Sequence, residues 1–153
     1  MTYKYKLPPR AGLPRVPAKR LVSETKDELP LTGQIRGRKA SDIEEVFSWA
    51  LDLQDTVEWW QFRKSYGSPA GQVGFIELDF LIYTGALHMI QLDEDWIHHT
   101  AEDKAHDMRQ DALLYEMLKY KGVRPVVRIP GSKLRDGKVA SLDRAKALVE
   151  ELF

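Results

Sequence analysis

The chain predicts a small mixed α/β fold: a β-sheet flanked by helices, preceded by an extended basic arm. Three observations lead there. Apolar periodicity alternates in the order helix, three strands, long helix, strand, helix. Thr84, Gly85 and Ala86 make a hairpin-sized link between the second and third strands, so those two run antiparallel. The long helix before the last strand is a crossover, which lets that strand lie parallel to the third.

Each element has a local reason. Ser41 is an N-cap, and Glu44 three residues later completes a capping box. Ile43, Val46, Phe47, Ala50 and Leu51 then form one stripe, so the spacing predicts a helix over 42–54. Residues 57–64 are aromatic and β-branched and read as a strand. Of Trp59 and Trp60, which alternate faces, one is expected in the core and the other exposed as a contact surface. Residues 66–74 hold glycines and a proline and read as a loop. Strands follow over 75–83 and 87–92, then an irregular stretch over 96–100. A helix over 101–121 takes Ala105, Met108, Ala112, Tyr115, Met117 and Leu118 as its apolar positions, and Gly122 stops it. Residues 124–129 form a strand whose Pro125 suggests a start or an edge. A basic loop over 130–139 and a capped helix over 141–152 close the chain.

The 153 residues carry 23 Lys+Arg against 23 Asp+Glu and no cysteine. Without cysteine there are no disulfides, thiolate metal ligands or thiol nucleophiles. The longest uncharged apolar run, residues 80–91, is too short and too mixed to span a bilayer. An intracellular, cytoplasmic setting is expected, with no membrane partner. The zero net charge hides a split. Residues 1–20 hold six bases and no acid, with four of the eight prolines. Residues 40–121 hold 16 acids against 6 bases, so the middle does not look like a uniformly basic nucleic-acid module. Prolines keep the arm from forming a helix or a central strand. It is either a solvated tail or a basic arm that orders on nucleic acid or on another protein. These features place the arm at 1–34 and one domain at 35–153.

Polar residues gather at strand ends. Glu77 and Asp79 alternate with apolar residues in the second strand, and Gln91 and Asp93 do so in the third. A period of two puts each pair on one face, and antiparallel pairing can bring Asp79 beside Gln91 and Asp93. Oxygen ligands from adjacent strands suit Mg²⁺ or Mn²⁺, which can activate water and stabilise charge on a phosphate. Glu44 or Glu45 can add a carboxylate, and His98 or His99 can move a proton. His88 and His106 are not expected in a site.

The stretches ASDIEEVFSWAL (40–51), ELDFLIY (77–83), MIQLDEDWIHH (89–99) and DMRQDALLYEMLKYKGVRPVVRI (107–129) together resemble the PD-(D/E)xK nuclease-like superfamily. The branch most similar holds the very-short-patch-repair endonucleases and their DUF559-type relatives. The likeness covers residues 38–130, and the order of five elements carries it rather than any one motif. It implies a restriction-endonuclease-like αβββαβ core and a metal-dependent DNA endonuclease. By this resemblance Asp79 matches the metal-binding aspartate of the "DF" strand, and Glu44 or Glu45 the helix glutamate. Asp93 matches the aspartate of "E-x-D", where many relatives have lysine, and His98 or His99 the downstream histidine. Asp107 and Arg109 resemble the "D-x-x-R" helix at shorter spacing. Gln91 stands at the glutamate position and Glu94 at a glycine position, and no lysine sits near the third strand.

Three functions follow as expectations, the last in rank being a small partner-recruiting domain whose nuclease-like sheet is incidental. One is an Mg²⁺- or Mn²⁺-dependent endonuclease in which Asp79, Gln91 and Asp93 hold the metal. Arg10, Arg15, Lys19, Arg20, Arg36, Arg38 and Lys39 would contact DNA phosphates, along with the basic loop near Lys133 and Lys138. Another is a non-catalytic descendant, structural or DNA-associated, such as a phage virion component whose arm binds neighbouring subunits.

Overall fold

A computed structural model describes residues 29–67, 75–94 and 99–153. The arm residues Arg10, Arg15, Lys19 and Arg20, and His98, lie outside the described residues. The chain is mixed α/β. Its elements are β1 (Gln34–Ile35), β2 (Arg38–Lys39), α1 (Asp42–Leu53), β3 (Trp59–Gly67), β4 (Phe75–Tyr83), β5 (Leu87–Asp93), α2 (Ala101–Leu118), β6 (Val127–Pro130), β7 (Arg135–Asp136), β8 (Val139–Ala140) and α3 (Leu142–Leu152). Among the described residues, no helix is long and apolar enough to cross a membrane.

The described residues fall into two compact units, Glu58–Gly131 and the remainder. The first is a four-stranded sheet in the order β3-β4-β5-β6. β3, β4 and β5 are antiparallel neighbours, and Tyr83 pairs with Leu87 across the Thr84–Ala86 turn. β6 runs parallel to β5, from Ile90 opposite Val127 to Asp93 opposite Pro130. The crossover between them is α2, as the sequence predicts.

One face of this sheet packs on α2. Trp59, Leu81, Leu87 and Met89 meet Leu114, Leu118 and Val123 in one cluster, and Tyr83 stacks on Trp59 with ring centroids 5.5 Å apart. The opposite face carries Trp60, Phe62 and Phe80, whose rings lie 5.2 to 5.8 Å apart. Both tryptophans are buried, at 3% and 2% exposure, which corrects the expectation that one would be free. The helix stripe also differs from the sequence reading. Met108 is 62% exposed, and the inward residues are Leu114 and Leu118. These extend in steps of three or four back to Asp111 and Asp107, so the buried stripe of α2 begins with two acids. Their acidity hid it from a search for apolar periodicity.

Simple alternation fails along β4. The α2-side cluster takes Leu81 from an odd position but Ile76 and Leu78 from even ones. The break falls at Asp79. There the pairing with β3 skips from Phe62↔Phe80 to Lys64↔Leu78, and Arg63 on the facing strand has φ of +54°. A non-glycine residue held left-handed in a strand marks a local twist. Thus Glu77 is exposed while Asp79 is half-buried, and the period-two argument that paired them does not apply.

The second unit packs α1 against α3. Ser41 caps α1 by accepting from the Glu44 amide, while the Glu44 carboxylate accepts from the Ser41 amide at 2.8 Å. Val46, Phe47, Ala50 and Leu51 are buried along α1, and Ala145 and Val149 along α3. Two short hairpins complete it: β1–β2, and β7–β8 within the stretch read from sequence as a loop.

Candidate functional site

The polar residues of the sheet unit make two connected groups. The first sits where β4 and β5 part beyond Phe80↔Ile90. Gln91 replaces the missing ladder bonds with its side chain. Its Oε1 accepts from the Asp79 amide at 2.9 Å, and its Nε2 donates to the Glu77 carbonyl at 2.9 Å. Asp79 answers from the other strand, its Oδ2 accepting from the Leu92 amide at 2.8 Å. The arrangement explains an amide at position 91. One atom must accept and the other donate, and an ionised glutamate could only accept. A fork in a sheet strands backbone donors and acceptors, and here two side chains satisfy them.

The second group lies at the C-terminal ends of β5 and β6, against the first half of α2. Arg128, opposite Gln91 in the register, is its centre. Its Nε and Nη2 donate to the two oxygens of Asp111 at 2.6 and 3.0 Å, a bidentate pair. Its Nη1 donates to Asp93 Oδ2 at 3.3 Å and lies 4.0 Å from Asp107 Oδ2. Burial pulls the Arg128 pKa down, but the Asp111 hydrogen bonds, with the charges of Asp111, Asp107 and Asp93, outweigh it, so the net shift is upward. His99 bridges the two other acids at ion-pair rather than hydrogen-bond distance. Nδ1 is 3.4 Å from Asp107 Oδ2, and Nε2 is 3.7 Å from Asp93 Oδ1. The side chains of Asp93, Asp111 and Arg128 are 9%, 14% and 17% exposed, so these charges interact with little water between them. Three carboxylates face one guanidinium and one imidazole, which leaves the group acidic.

Asp93, His99 and Asp107 each offer one ligand atom, and these lie within 4.8 Å of one another. Two carboxylates and an imidazole suit a divalent cation such as Mn²⁺, with Mg²⁺ favouring the oxygens. If His99 ligates through one nitrogen, the other still faces a carboxylate, a pairing common around metal-bound imidazoles.

The other residues predicted from sequence have local roles. Asp79 and Gln91 are brought together, whereas Asp93 is tied to Arg128 and His99. Glu44 serves the capping box. Glu45, 1% exposed, accepts from the Thr32 amide, the Thr32 hydroxyl and the Gly33 amide, at 2.9, 2.8 and 2.8 Å, and so latches residues 32 and 33 onto α1. Arg36, Arg38 and Lys39 are exposed on the β1–β2 hairpin. His88 pairs with the Thr84 hydroxyl at 2.8 Å, and burial, then Arg124, hold its pKa below the usual value. Sequence reasoning missed Asp111 and Arg128 as members of the site. Their signals are the Asp107, Asp111, Leu114, Leu118 spacing and a lone arginine between Val127 and Ile129 in a strand.

Comparison with protein-family models, curated proteins and solved structures finds no match.

Proposed function

We propose that this chain is a divalent-cation-dependent nuclease-type phosphodiesterase acting on DNA, of the PD-(D/E)xK kind its sequence resembles. Asp93, His99 and Asp107 hold the cation, and Asp79 belongs to the adjoining strand. The observation that carries this reading is the gathering of three ligand atoms from β5, the following loop and α2 within 4.8 Å. A cation bound there supplies Lewis-acid polarisation of a phosphate and a water of lowered pKa. Asp93 and Asp107, each ligating through one oxygen, would orient that water and take its proton at the other, while His99 would serve as the nitrogen ligand. Arg128, its other edge committed to Asp111, keeps Asp93 in place and offers a positive charge to a phosphate oxygen.

A second reading, the non-catalytic descendant, is favoured by two observations. The Arg128 guanidinium already supplies the acidic group with a cation, and both ends of the Gln91 amide are bonded to backbone. It predicts a DNA-associated or assembly protein that keeps the fold without the reaction.

A cleavage assay on supercoiled and linear DNA with Mg²⁺ or Mn²⁺ separates the two. The nuclease reading expects cation-dependent cutting that falls by roughly a hundredfold or more in Asp93→Asn and in Asp107→Asn. Wild-type protein that neither cuts DNA nor binds Mn²⁺ supports the non-catalytic reading.

A further inference from the structure

Among the described residues of the second unit, the exposed cations Arg36, Arg38, Lys39 and Lys138 lie on two tight hairpins, Lys133 just before the second, and Arg144 on α3. In the first, Ile35 pairs with Arg38 and Gln34 with Lys39, leaving Arg36 and Gly37 as the turn. Both turn residues have positive φ, +51° and +82°, the type I′ pattern. That turn prefers Asn-Gly, and an arginine held left-handed there is strained. In the second, Asp136 pairs with Val139 around Gly137, φ +67°, and Lys138. A single latch roots both hairpins. Arg135 donates Nη2 and Nη1 to the two oxygens of Asp42 at 2.8 and 2.9 Å, and Nη1 also to the Lys138 carbonyl at 2.9 Å. Asp42 is the first residue of α1, three places after Lys39.

The latch consumes the charge of Arg135. Arg36, Arg38, Lys39, Lys133 and Lys138 are exposed beside it. Asp136, the acid in the second turn, has Arg144 at 3.6 Å. The first turns of the helices also carry acids: Asp42, Glu44 and Glu45 of α1 are held by Arg135, the Ser41 amide and residues 32 and 33, and Asp143 of α3 is exposed. Among the described residues this unit exposes no aromatic side chain, and its exposed large apolar residues are Leu31 at 41% and Val139 at 59%. A protein interface wants aromatic anchors at its centre, and a polyanion does not.

We propose that the two hairpins form a grip on the phosphate backbone of duplex DNA, Arg36, Arg38 and Lys39 on one, and Lys138 on the other with Lys133 from the turn that leads into it. The choice of DNA among polyanions rests on the nuclease reading above. The grip itself needs no cation, so it is tested apart from cleavage. The full chain is titrated onto a short fluorescent duplex in EDTA, between roughly 50 and 200 mM salt. The slope of log affinity against log salt should be shallower by about 0.9 in Arg36→Asn and by about 1.8 in the Lys133→Gln, Lys138→Gln double variant. Asparagine suits the left-handed turn position, so Arg36→Asn should melt no earlier than wild type, and its loss of binding is then not a loss of fold. Unchanged slopes in both variants overturn the proposal, as does equal binding to anionic lipid vesicles at the same salt. Asp93→Asn that stops cutting while hairpin-dependent binding persists supports the grip. Binding through the hairpins with no cutting by wild type defeats the nuclease reading alone.

Discussion

Gln91 shows how one side chain can settle a question of chemistry. A glutamate at this position would invite a reading as a metal ligand, and the amide looks like a defect. In the folded chain the amide closes the fork between β4 and β5 by accepting from Asp79 and donating to the Glu77 carbonyl. Gln91→Glu should therefore destabilise the protein by about 1–3 kcal/mol near neutral pH, because an ionised carboxylate would face that carbonyl unpaired. The loss should shrink as pH falls and the new carboxyl protonates, since a neutral acid can donate again. Urea unfolding of both forms at acidic and neutral pH checks this; a pH-independent loss would argue against the clasp. The sequence showed which residues stand at the strand ends. It did not show the fork, because a break in pairing at Asp79 depends on how the facing Arg63 is twisted.

Helix α2 carries two chemistries on one stripe. Leu114 and Leu118 seal the apolar half, and Asp111 and Asp107 continue it as acids. Arg128 makes this burial tolerable. Arg128→Ala should cost about 3–5 kcal/mol, since it takes from the little-exposed Asp111 its bidentate partner. Arg128→Met combined with Asp111→Leu should recover much of that loss, and the double-mutant cycle by chemical denaturation reads the coupling. Leu114→Ala, by contrast, is a cavity effect of about 2–5 kcal/mol without pH dependence. At the start of α1, the Arg135 hydrogen bonds hold the Asp42 pKa below its usual value of 3.8, against a smaller opposing effect of burial. A lowered carboxylate pKa gives stability that is present above pH 3.8 and lost as pH falls through the folded value. The stability difference between wild type and Arg135→Gln should thus be flat near neutrality and narrow below that pH in acid denaturation. The type of all three helices and the caps of α1 and α3 were legible in the sequence, whereas α2 starts on an unread capping box of Thr100 and Asp103 and ends at Leu118, with a 3-10 turn over Lys119–Lys121 where the helix was expected to continue. The inward face of α2 was not, because a stripe that begins with aspartates carries no apolar signal until its arginine partner on β6 is known.

Taken as a whole, the chain is electrically neutral and segregated, with its acids concentrated in residues 40–121. A cation site in the acidic part has a thermodynamic signature independent of catalysis. Mn²⁺ at a hundred times its dissociation constant should stabilise the protein by about 2.7 kcal/mol, and Asp93→Asn or Asp107→Asn should remove the effect. Thermal melts with and without the ion measure it. Stabilisation that survives both substitutions would place the ion elsewhere. Because the native group already holds Arg128, binding that strengthens in Arg128→Gln would show the guanidinium and the ion competing for the same carboxylates.

The order of the three helices and the four strands of the main sheet, the antiparallel hairpin at Thr84–Ala86 and the parallel crossover through α2 were determined by the sequence alone, since they follow from local periodicity, turn residues and connection length. So were the capping box at Ser41 and Glu44, which involves residues three apart. The tertiary structure decided which polar residues meet. Asp93 with Arg128 spans 35 positions, Arg128 with Asp111 spans 17, and Arg135 with Asp42 spans 93. Such partners are chosen by strand register, helix rotation and the relief of buried charge. All three arise only after the chain has packed.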